Sequence, residues 1–314
     1  MRILVVGAGA IGGYFGGRLL EAGRDVTFLV RPRRNAQLAK TGLVIKSRFG
    51  DVTLPAPPTV TADALRAPFD LILLSCKAYD LESAADSFAP AVGANTAILP
   101  LLNGMAHIDY LAGRFGGATV LGGQCVISVT LNADGHILHL NDTHGVSFGE
   151  RDSTTSSRAE AIAAAFKGAR FDSKLSTAIL QEMWEKWVLI ATMAASNSLM
   201  RAPVGDIVAA GAENFSLAML AETAGIATAQ GFTPSEASIT RNRAMLTAKG
   251  SAFAASMLRD IERGAAIEGD HIVGDLIRRG GDQPSDFPLL RIAYAHLRAY
   301  EARRKRESDS AKAA

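Results

Sequence analysis

The sequence predicts an α/β fold in which a doubly wound parallel sheet with an antiparallel extension precedes an all-helical C-terminal domain. Up to residue 174, short continuously apolar runs alternate with helical patterns, as in strands buried on both faces of a parallel sheet. From residue 177 onward the pattern is helical almost throughout. We therefore predict domains at residues 1–174 and 175–304, and a disordered tail at 305–314, where apolar anchors are absent.

The elements follow from these patterns in chain order. The predicted parallel strands are Ile3–Val6, Val26–Val30, Leu71–Ser75 and Ala97–Pro100, separated by helices at Gly12–Ala22, Arg34–Thr41 and Asp80–Ala91. The predicted extension is a hairpin of Cys125–Leu131 and His136–Leu140, then strand Gly145–Gly149, helix Arg158–Lys167 and strand Phe171–Leu175. The predicted helices of the second half are Gln181–Leu199, Glu213–Gln230, Ser235–Leu246, Phe253–Gly264 and Asp286–Arg304.

Composition excludes several classes of protein. The chain has 314 residues with 33 Lys+Arg against 31 Asp+Glu, and a net charge of +2 does not favour nucleic acid or an anionic membrane as partner. Its two cysteines, Cys76 and Cys125, are too few for a disulfide framework. The start of the chain does not resemble a signal peptide, and no apolar run has the length of a membrane span. We expect a cytoplasmic protein.

A glycine-rich turn follows the first predicted strand. Its residues are Gly7, Ala8, Gly9, Ala10, Ile11 and Gly12, and a helix and a second strand come after them. This context is the one required for a dinucleotide turn of the Rossmann type, in which the helix N-terminus faces the pyrophosphate. The alternative is a small-residue turn that binds nothing.

The end of the second strand indicates which dinucleotide is bound. A protein that binds NAD usually has a carboxylate there for the ribose hydroxyls, whereas this chain has Arg31, Arg33 and Arg34. Guanidinium groups attract a 2′-phosphate, so the sequence favours NADP; a solvated basic loop is the alternative. FAD and S-adenosylmethionine also use glycine turns, but neither requires these arginines.

Other candidate residues are ambiguous on pattern alone. Lys77 and Asn103 follow the third and fourth strands, where ligands of α/β sheets lie, but either could be a surface or turn residue. Lys186 enters an apolar helix, where desolvation would make it a better proton donor, or it pairs with Glu182. Glu268 lies between apolar residues and a glycine.

Together these motifs resemble the ketopantoate reductase family, the 2-dehydropantoate 2-reductases, from Met1 to about Arg304. The matching segments are Gly7–Gly12, Arg31, Ser75-Cys76-Lys77-Ala78, Leu102-Asn103-Gly104-Met105, Lys186 after Met183-Trp184-Glu185, Ser256-Met257-Leu258-x-Asp260, and Glu268-x-Asp270. The resemblance implies a Rossmann domain and a helical domain with the active site in the cleft between them. It further implies that NADPH reduces the C2 carbonyl of a 2-oxo acid.

The resemblance also implies a role for each matching residue. Lys186 is the proton donor, and Asn103 holds Lys186 and the substrate oxygen and contacts the cofactor, as Lys77 does. Ser256 binds the substrate carboxylate, and Glu268 accepts a hydrogen bond from the substrate or a ribose hydroxyl. The expected partner is a small 2-oxo acid. Separately, the apolar stripe of helices such as Asp286–Arg304 fits either a second copy in a homodimer or the core of the same chain.

The sequence departs from the family where asparagines are usual. Those positions are Ile190, Ala194, one within Pro203-Val204-Gly205, and Val273. Apolar side chains cannot bind a substrate hydroxyl, so another 2-oxo acid or a ketone is an alternative substrate, and Ser256, Asn197 and Asp270 are the remaining polar candidates. A non-catalytic NADP-binding or sensing protein is a further alternative. His136, His139 and His144 suggest a metal site only weakly, and we interpret them as hairpin-surface histidines.

Overall fold

The computed structural model describes residues 1–281, 283 and 286–313 and divides them into two compact units. The first unit comprises Met1–Leu102 and His107–Leu180, and the second comprises Asn103–Ala106 and Gln181–Ala314. The predicted fold class is confirmed: a parallel sheet with an antiparallel extension precedes a helical part. The units divide after Leu180, whereas the sequence predicts a domain boundary after residue 174.

The N-terminal part contains ten strands and five helices among the described residues. The strands are β1 (Arg2–Val6), β2 (Asp25–Leu29), β3 (Leu43–Lys46), β4 (Val52–Leu54), β5 (Thr59–Val60), β6 (Leu71–Leu74), β7 (Ala97–Pro100), β8 (Gly122–Leu131), β9 (Ile137–Gly149) and β10 (Asp172–Leu175). The helices are α1 (Ala10–Glu21), α2 (Pro32–Thr41), α3 (Leu81–Phe88), α4 (Ala106–Phe115) and α5 (Ser157–Phe166).

These strands form two sheets. The first has the order β5-β2-β1-β6-β7 and is parallel throughout. The second has the order β10-β9-β3-β4, with β8 also paired to β9, and it mixes parallel and antiparallel pairs. Ligands of a parallel sheet bind at the carboxyl ends of its strands, so the segments after β1, β2 and β6 are candidate ligand-binding segments.

The prediction of two separate strands at His136–Leu140 and Gly145–Gly149 is wrong, because β9 runs through both. The polar residues between them suggested a break. The register of β8 against β9 shifts between Ile127 and Val129, and the Asn141 side chain accepts a hydrogen bond from the Ser128 backbone at 2.8 Å. A bulge with a side-chain partner thus replaces the missing backbone contacts.

Helix α1 packs closely against both sheets through a face of glycines. A Cβ atom at Gly16 would lie 2.6 Å from the Phe28 ring of the first sheet. A Cβ atom at Gly13 would lie 2.6 Å from Ile137 Cδ1, and one at Gly17 would lie 2.6 Å from Leu43 Cδ2, both in the second sheet. The buried side chains of α1 and of the two sheets form one hydrophobic core, so α1 depends on lacking side chains at these positions.

The C-terminal part is helical in all its described elements. They are α6 (Ile179–Met200), α7 (Val204–Ala209), α8 (Glu213–Ala229), α9 (Glu236–Leu246), α10 (Ser256–Glu262), a π-helical turn (Asp270–Gly274), α11 (Asp275–Gly280) and α12 (Pro288–Ala313). None of the helices within the described ranges is both long and apolar enough to cross a membrane.

Two helix predictions need correction. The helix predicted at Phe253–Gly264 begins only at Ser256, because the preceding residues run in an extended loop. Helix α12 continues to Ala313, so the structure contradicts a disordered tail from residue 305; Ala314 lies outside the described residues. The charged residues of this last stretch form pairs along the helix, as between Arg303 and Glu307, and such pairs favour helix without any core contact.

The glycine face of α1 predicts that Gly16→Ala destabilises the protein. The added methyl group overlaps Phe28 and Val5 and should cost about 1–3 kcal/mol of the free energy of unfolding, measured by urea denaturation. Gly113→Ala is the matched control, because a Cβ atom there meets nothing within 4 Å; it should be neutral or stabilising by up to about 1 kcal/mol. Equal stability of both variants would contradict the packing argument.

Candidate functional site

The turn after β1 contains three glycines, and a different physical reason accounts for glycine at each position. Gly7 has a φ of +92°, which favours glycine, and its N–H donates to the Leu29 carbonyl at 2.9 Å. A Cβ atom at Gly12 would overlap the Gly7 carbonyl oxygen and Ser75 Oγ. Gly9 has an ordinary φ of −79° as the N-cap of α1, and a Cβ atom there meets nothing within 4 Å. The fold therefore accounts for Gly7 and Gly12, whereas the approach of a ligand to the backbone would account for Gly9.

The other residues of the turn keep it in place. Ala8 is buried, and its carbonyl accepts a hydrogen bond from Arg34 Nε at 3.0 Å. The same guanidinium donates to the Gly135 carbonyl at 3.2 Å, and burial lowers the pKa of Arg34. The alternative of a solvated basic loop is therefore wrong for Arg34, which is half-buried, whereas its grouping with Arg31 as an attractor of a 2′-phosphate stays a prediction. The charge of Arg34 is used to fix the glycine turn against the β8–β9 hairpin. Ala10 and Ile11 open α1, with Ile11 packed against the core.

Arg31 is exposed at the N-cap of α2, directly after β2. Its Nη2 lies 2.7 Å from Asp80 Oδ1, and this hydrogen bond and the Asp80 charge raise the pKa of Arg31. The guanidinium is thus held at the carboxyl end of the sheet by a neighbouring carboxylate. If a 2′-phosphate bound to Arg31, the guanidinium would contact both the phosphate and the Asp80 carboxylate.

Lys77 lies near the carboxyl end of β6, which is separated from β2 in the sheet by β1. It is half-buried and precedes the 3₁₀ turn Ala78–Asp80, whose last N–H donates to the Lys77 carbonyl at 2.9 Å. Because β2, β1 and β6 are neighbours in that order, Arg31, the glycine turn and Lys77 follow the ends of three adjacent strands. The first unit therefore places these three predicted cofactor contacts along one edge of the parallel sheet.

One of the three hairpin histidines, His144, differs from its prediction. His144 is buried rather than on the surface: its Nδ1 lies 2.7 Å from the Tyr14 hydroxyl, and its ring stacks on Phe49. Burial lowers the pKa of His144, so the ring is neutral near pH 7. His139 Nδ1 lies 2.9 Å from Ser47 Oγ. Across the described ranges, no three His, Cys, Asp or Glu residues form a group suited to a metal ion.

In the second unit, the backbone around Lys186 is fixed by its sequence neighbours. Trp184 and Trp187 are buried with ring centroids 4.8 Å apart, and Trp187 Nε1 donates to the Ile272 carbonyl at 2.9 Å. Glu185 Oε1 accepts the Ser235 N–H at 2.8 Å. The half-buried Lys186 is therefore carried by a part of α6 that is tied to the π-helical turn and to the start of α9.

Glu268 precedes the π-helical turn and is 8% exposed. Its carbonyl accepts the Ile272 N–H at 2.9 Å. Asp270 is held by Arg278 at 3.0 Å and by the Tyr294 hydroxyl. Although burial opposes it, these partners lower the pKa of Asp270. Turns of this type occur often at functional sites, and this one carries a buried carboxylate beside it.

The structure adds one residue that sequence reasoning missed. His271 in the π-helical turn hydrogen-bonds to the backbone of Asn103. A Cβ atom at Gly104, whose φ is +80°, would lie 3.3 Å from His271 Nε2 and 3.2 Å from its carbonyl oxygen. Burial lowers the pKa of His271, while the Glu268 charge and the Asn103 backbone oppose this. The second unit thus places His271 beside the Asn103–Gly104 segment and within the electrostatic field of Glu268.

The remaining polar candidates differ in burial and in the hydrogen bonds that their side chains make. Ser256 is exposed at the first turn of α10. Asn197 is buried; its amide nitrogen donates to the Ala202 carbonyl at 2.8 Å, and its oxygen accepts the Ala255 N–H at 3.0 Å. Asn197 therefore holds the loop that leads to Ser256 and has a structural role. On α6, Ile190 is half-buried and Ala194 is buried.

Comparisons with known proteins cover almost the whole chain. Residues 3–153 match the family model of ketopantoate reductase PanE/ApbA, and residues 178–301 match that of its C-terminal region. An uncharacterized oxidoreductase, YkpB, of Bacillus subtilis is 36% identical over 303 residues, which cover 96% of this chain and 99% of that relative.

Two solved structures have the same fold. The crystal structure of 2-dehydropantoate 2-reductase from Methylococcus capsulatus has a TM-score of 0.86 and 28% identity and covers 97% of this chain and 98% of that one. A D-mandelate dehydrogenase with NADH and anilino(oxo)acetate also has a TM-score of 0.86, covering 97% of this chain and 100% of that one. At 20% identity, the second likeness concerns the fold alone.

Proposed function

Because this oxidoreductase belongs to the ketopantoate reductase family, we propose that it reduces the 2-oxo group of ketopantoate (2-dehydropantoate) to pantoate with NADPH. The observation that carries the proposal is the packing of the Asn103–Gly104 segment against His271. His271 lies in a turn that follows the buried Glu268 and is hydrogen-bonded to α6 next to Lys186. Candidate residues that are far apart in sequence are thus connected within the second unit.

The residues of the first unit fit a phosphorylated dinucleotide. Gly9 and the N–H groups of the first turn of α1 would hold the pyrophosphate, since neither φ nor packing requires glycine at position 9. Arg31 would bind the 2′-phosphate, and Lys77 is the further cofactor contact proposed in this unit. Asn103 and Glu268, which belong to the second unit, are also proposed to contact the cofactor. When bound, the nicotinamide supplies the hydride. NADPH rather than NADH is part of this proposal, and the exposed guanidinium after β2 supports it.

The residues of the second unit supply the polar groups that carbonyl reduction needs. Reduction places negative charge on the former carbonyl oxygen, and the Lys186 ammonium stabilises that charge and then donates a proton to this oxygen. The Asn103 amide orients Lys186 and the same oxygen. Ser256 binds the substrate carboxylate through its hydroxyl, and Glu268 accepts a hydrogen bond from the substrate hydroxyl or a ribose hydroxyl.

A specific observation favours a second candidate, the reduction of a less hydroxylated 2-oxo acid or a ketone. Ile190 and Ala194 continue the helical stripe of Lys186, at i+4 and i+8, with alkyl groups. Asn197, which could have replaced the usual asparagines, uses its amide to hold two backbone segments. A cytoplasmic location and a homodimer remain predictions from the sequence.

We predict that NADPH is preferred over NADH by at least about tenfold in kcat/KM, or about 1.4 kcal/mol. Arg31→Ala should raise KM for NADPH and leave KM for NADH almost unchanged, because only NADPH has the 2′-phosphate. Lys40→Ala removes a positive charge from the far end of α2 and serves as the control, with no change expected for either cofactor. Equal use of both cofactors by the unmodified protein would contradict the role of Arg31.

Lys186→Ala should lower kcat by roughly 10²–10⁴-fold, the scale of a lost general acid, while NADPH still binds. Initial rates from NADPH absorbance and a fluorescence titration of NADPH measure the two effects separately. Lys249→Ala removes an exposed lysine of the same unit and should keep the kcat of the unmodified protein. If Lys186→Ala also retains normal turnover, the proton donor must be another group.

A further inference from the structure

We propose that His271 is a positioning residue of this reaction, which holds the backbone of Asn103 against the π-helical turn that follows Glu268. The inference rests on the proposed function, because it concerns residues to which that function assigns contacts with cofactor and substrate. It concerns a side chain to which neither the resemblance nor the mechanism gives a role.

The first contact is with the Asn103–Gly104 segment. Burial lowers the pKa of His271, and the hydrogen bond to the Asn103 backbone opposes that shift. The bond therefore favours a protonated ring nitrogen, so a ring N–H donates to the Asn103 carbonyl. At Gly104, a Cβ atom would be 3.2 Å from His271 Cδ2 and 3.3 Å from Nε2. Those distances and the φ of +80° together require glycine at position 104. The imidazole thus determines how closely this segment can approach the π-helical turn.

The second contact is electrostatic. The carboxylates that act on the imidazole are Glu268, Asp275 and Asp270, and each favours its charged form. Glu268 and Asp275 are both 8% exposed, so their fields at the ring are only weakly screened by solvent. The imidazole therefore lies beside the Asn103 backbone and within the field of buried negative charge, and its N–H is used for the Asn103 carbonyl.

The residues on both sides of His271 are held by hydrogen bonds. Trp187 donates to the carbonyl of Ile272, the residue after His271. Asp270, the residue before it, is bound by Arg278 and Tyr294. A Cβ atom at Gly274 would lie 2.6 Å from Asp270 Oδ1, so the turn packs tightly against itself. With its backbone fixed on both sides, His271 can transmit this position to the Asn103 side chain through one hydrogen bond.

Packing alone would not require a histidine here. A phenylalanine has a ring of similar shape but no N–H donor, whereas a glutamine has a donor near the position of Nε2 but no ring. His271→Phe and His271→Gln therefore separate the hydrogen bond from the space that the ring fills. His296→Phe is the matched control, because His296 Nε2 is buried without a hydrogen-bond partner among the residues that the structure describes.

The test is a comparison of kcat, KM for the 2-oxo acid and amide hydrogen exchange of residues 103–106 in these variants. Concentrations of active sites are normalised by NADPH titration, so that a partly unfolded sample does not count as a slow enzyme. His271→Phe should lower kcat/KM by about 10- to 100-fold, with part of the loss in KM, and should speed exchange of residues 103–106. His271→Gln should recover most of both, and His296→Phe should change neither.

A value of kcat/KM for His271→Phe within twofold of the unmodified protein would overturn the proposal, as would a His271→Gln variant no better than His271→Phe. Hydrogen exchange distinguishes this failure from failure of the proposed function. If the unmodified protein reduces no 2-oxo acid, the proposed function fails. In that case, faster amide exchange of residues 103–106 in His271→Phe, with no catalytic effect to accompany it, would show that the contact is only structural. That result would also overturn the proposal.

Discussion

Close packing of helix α1 is the constraint on which the first unit depends. Because glycines face both sheets, the α1 backbone approaches Phe28 on one side and Ile137 on the other without intervening side chains. This approach fixes the N-terminus of the helix at the end of β1, where its N–H groups are directed out of the sheet edge. Arg34 completes the constraint from outside by binding the Ala8 carbonyl. A dinucleotide turn thus results from packing that extends well beyond the turn itself.

The second unit solves a comparable problem with hydrogen bonds to backbone atoms. The π-helical turn is joined to α6 by Trp187, to Asn103 by His271, and to α11 and α12 by Asp270. Trp187 is buried and His271 is half-buried, so loss of either hydrogen bond leaves a shielded partner unsatisfied. The Asp270–Arg278 pair is exposed and contributes less. The same logic applies to Asn197, whose amide fixes the loop before Ser256 and so is not available to a substrate.

The sequence predicted best those elements whose signals lie within a short stretch of the chain. The apolar runs of β1, β2, β6 and β7 and the glycine spacing predicted the parallel sheet and its turn, because each signal lies within a few residues. Strands β4 and β5 were missed because they are short and only partly buried, and their pairing depends on distant segments. The hydrogen bond of Arg34 to the turn and the contact of His271 were missed for a similar reason: their partners, the Ala8 and Asn103 backbones, are far away in sequence.

The central claim is that this oxidoreductase uses NADPH to reduce a 2-oxo acid beside an apolar helical stripe. The most direct measurement compares kcat/KM for ketopantoate and for 3,3-dimethyl-2-oxobutanoate, the same acid without its 4-hydroxyl, by following NADPH absorbance. With Ile190 and Ala194 on the stripe, both acids should be reduced, and the preference for ketopantoate should stay below about 10³-fold. If NADPH is oxidised with neither of the two acids, that result contradicts the account.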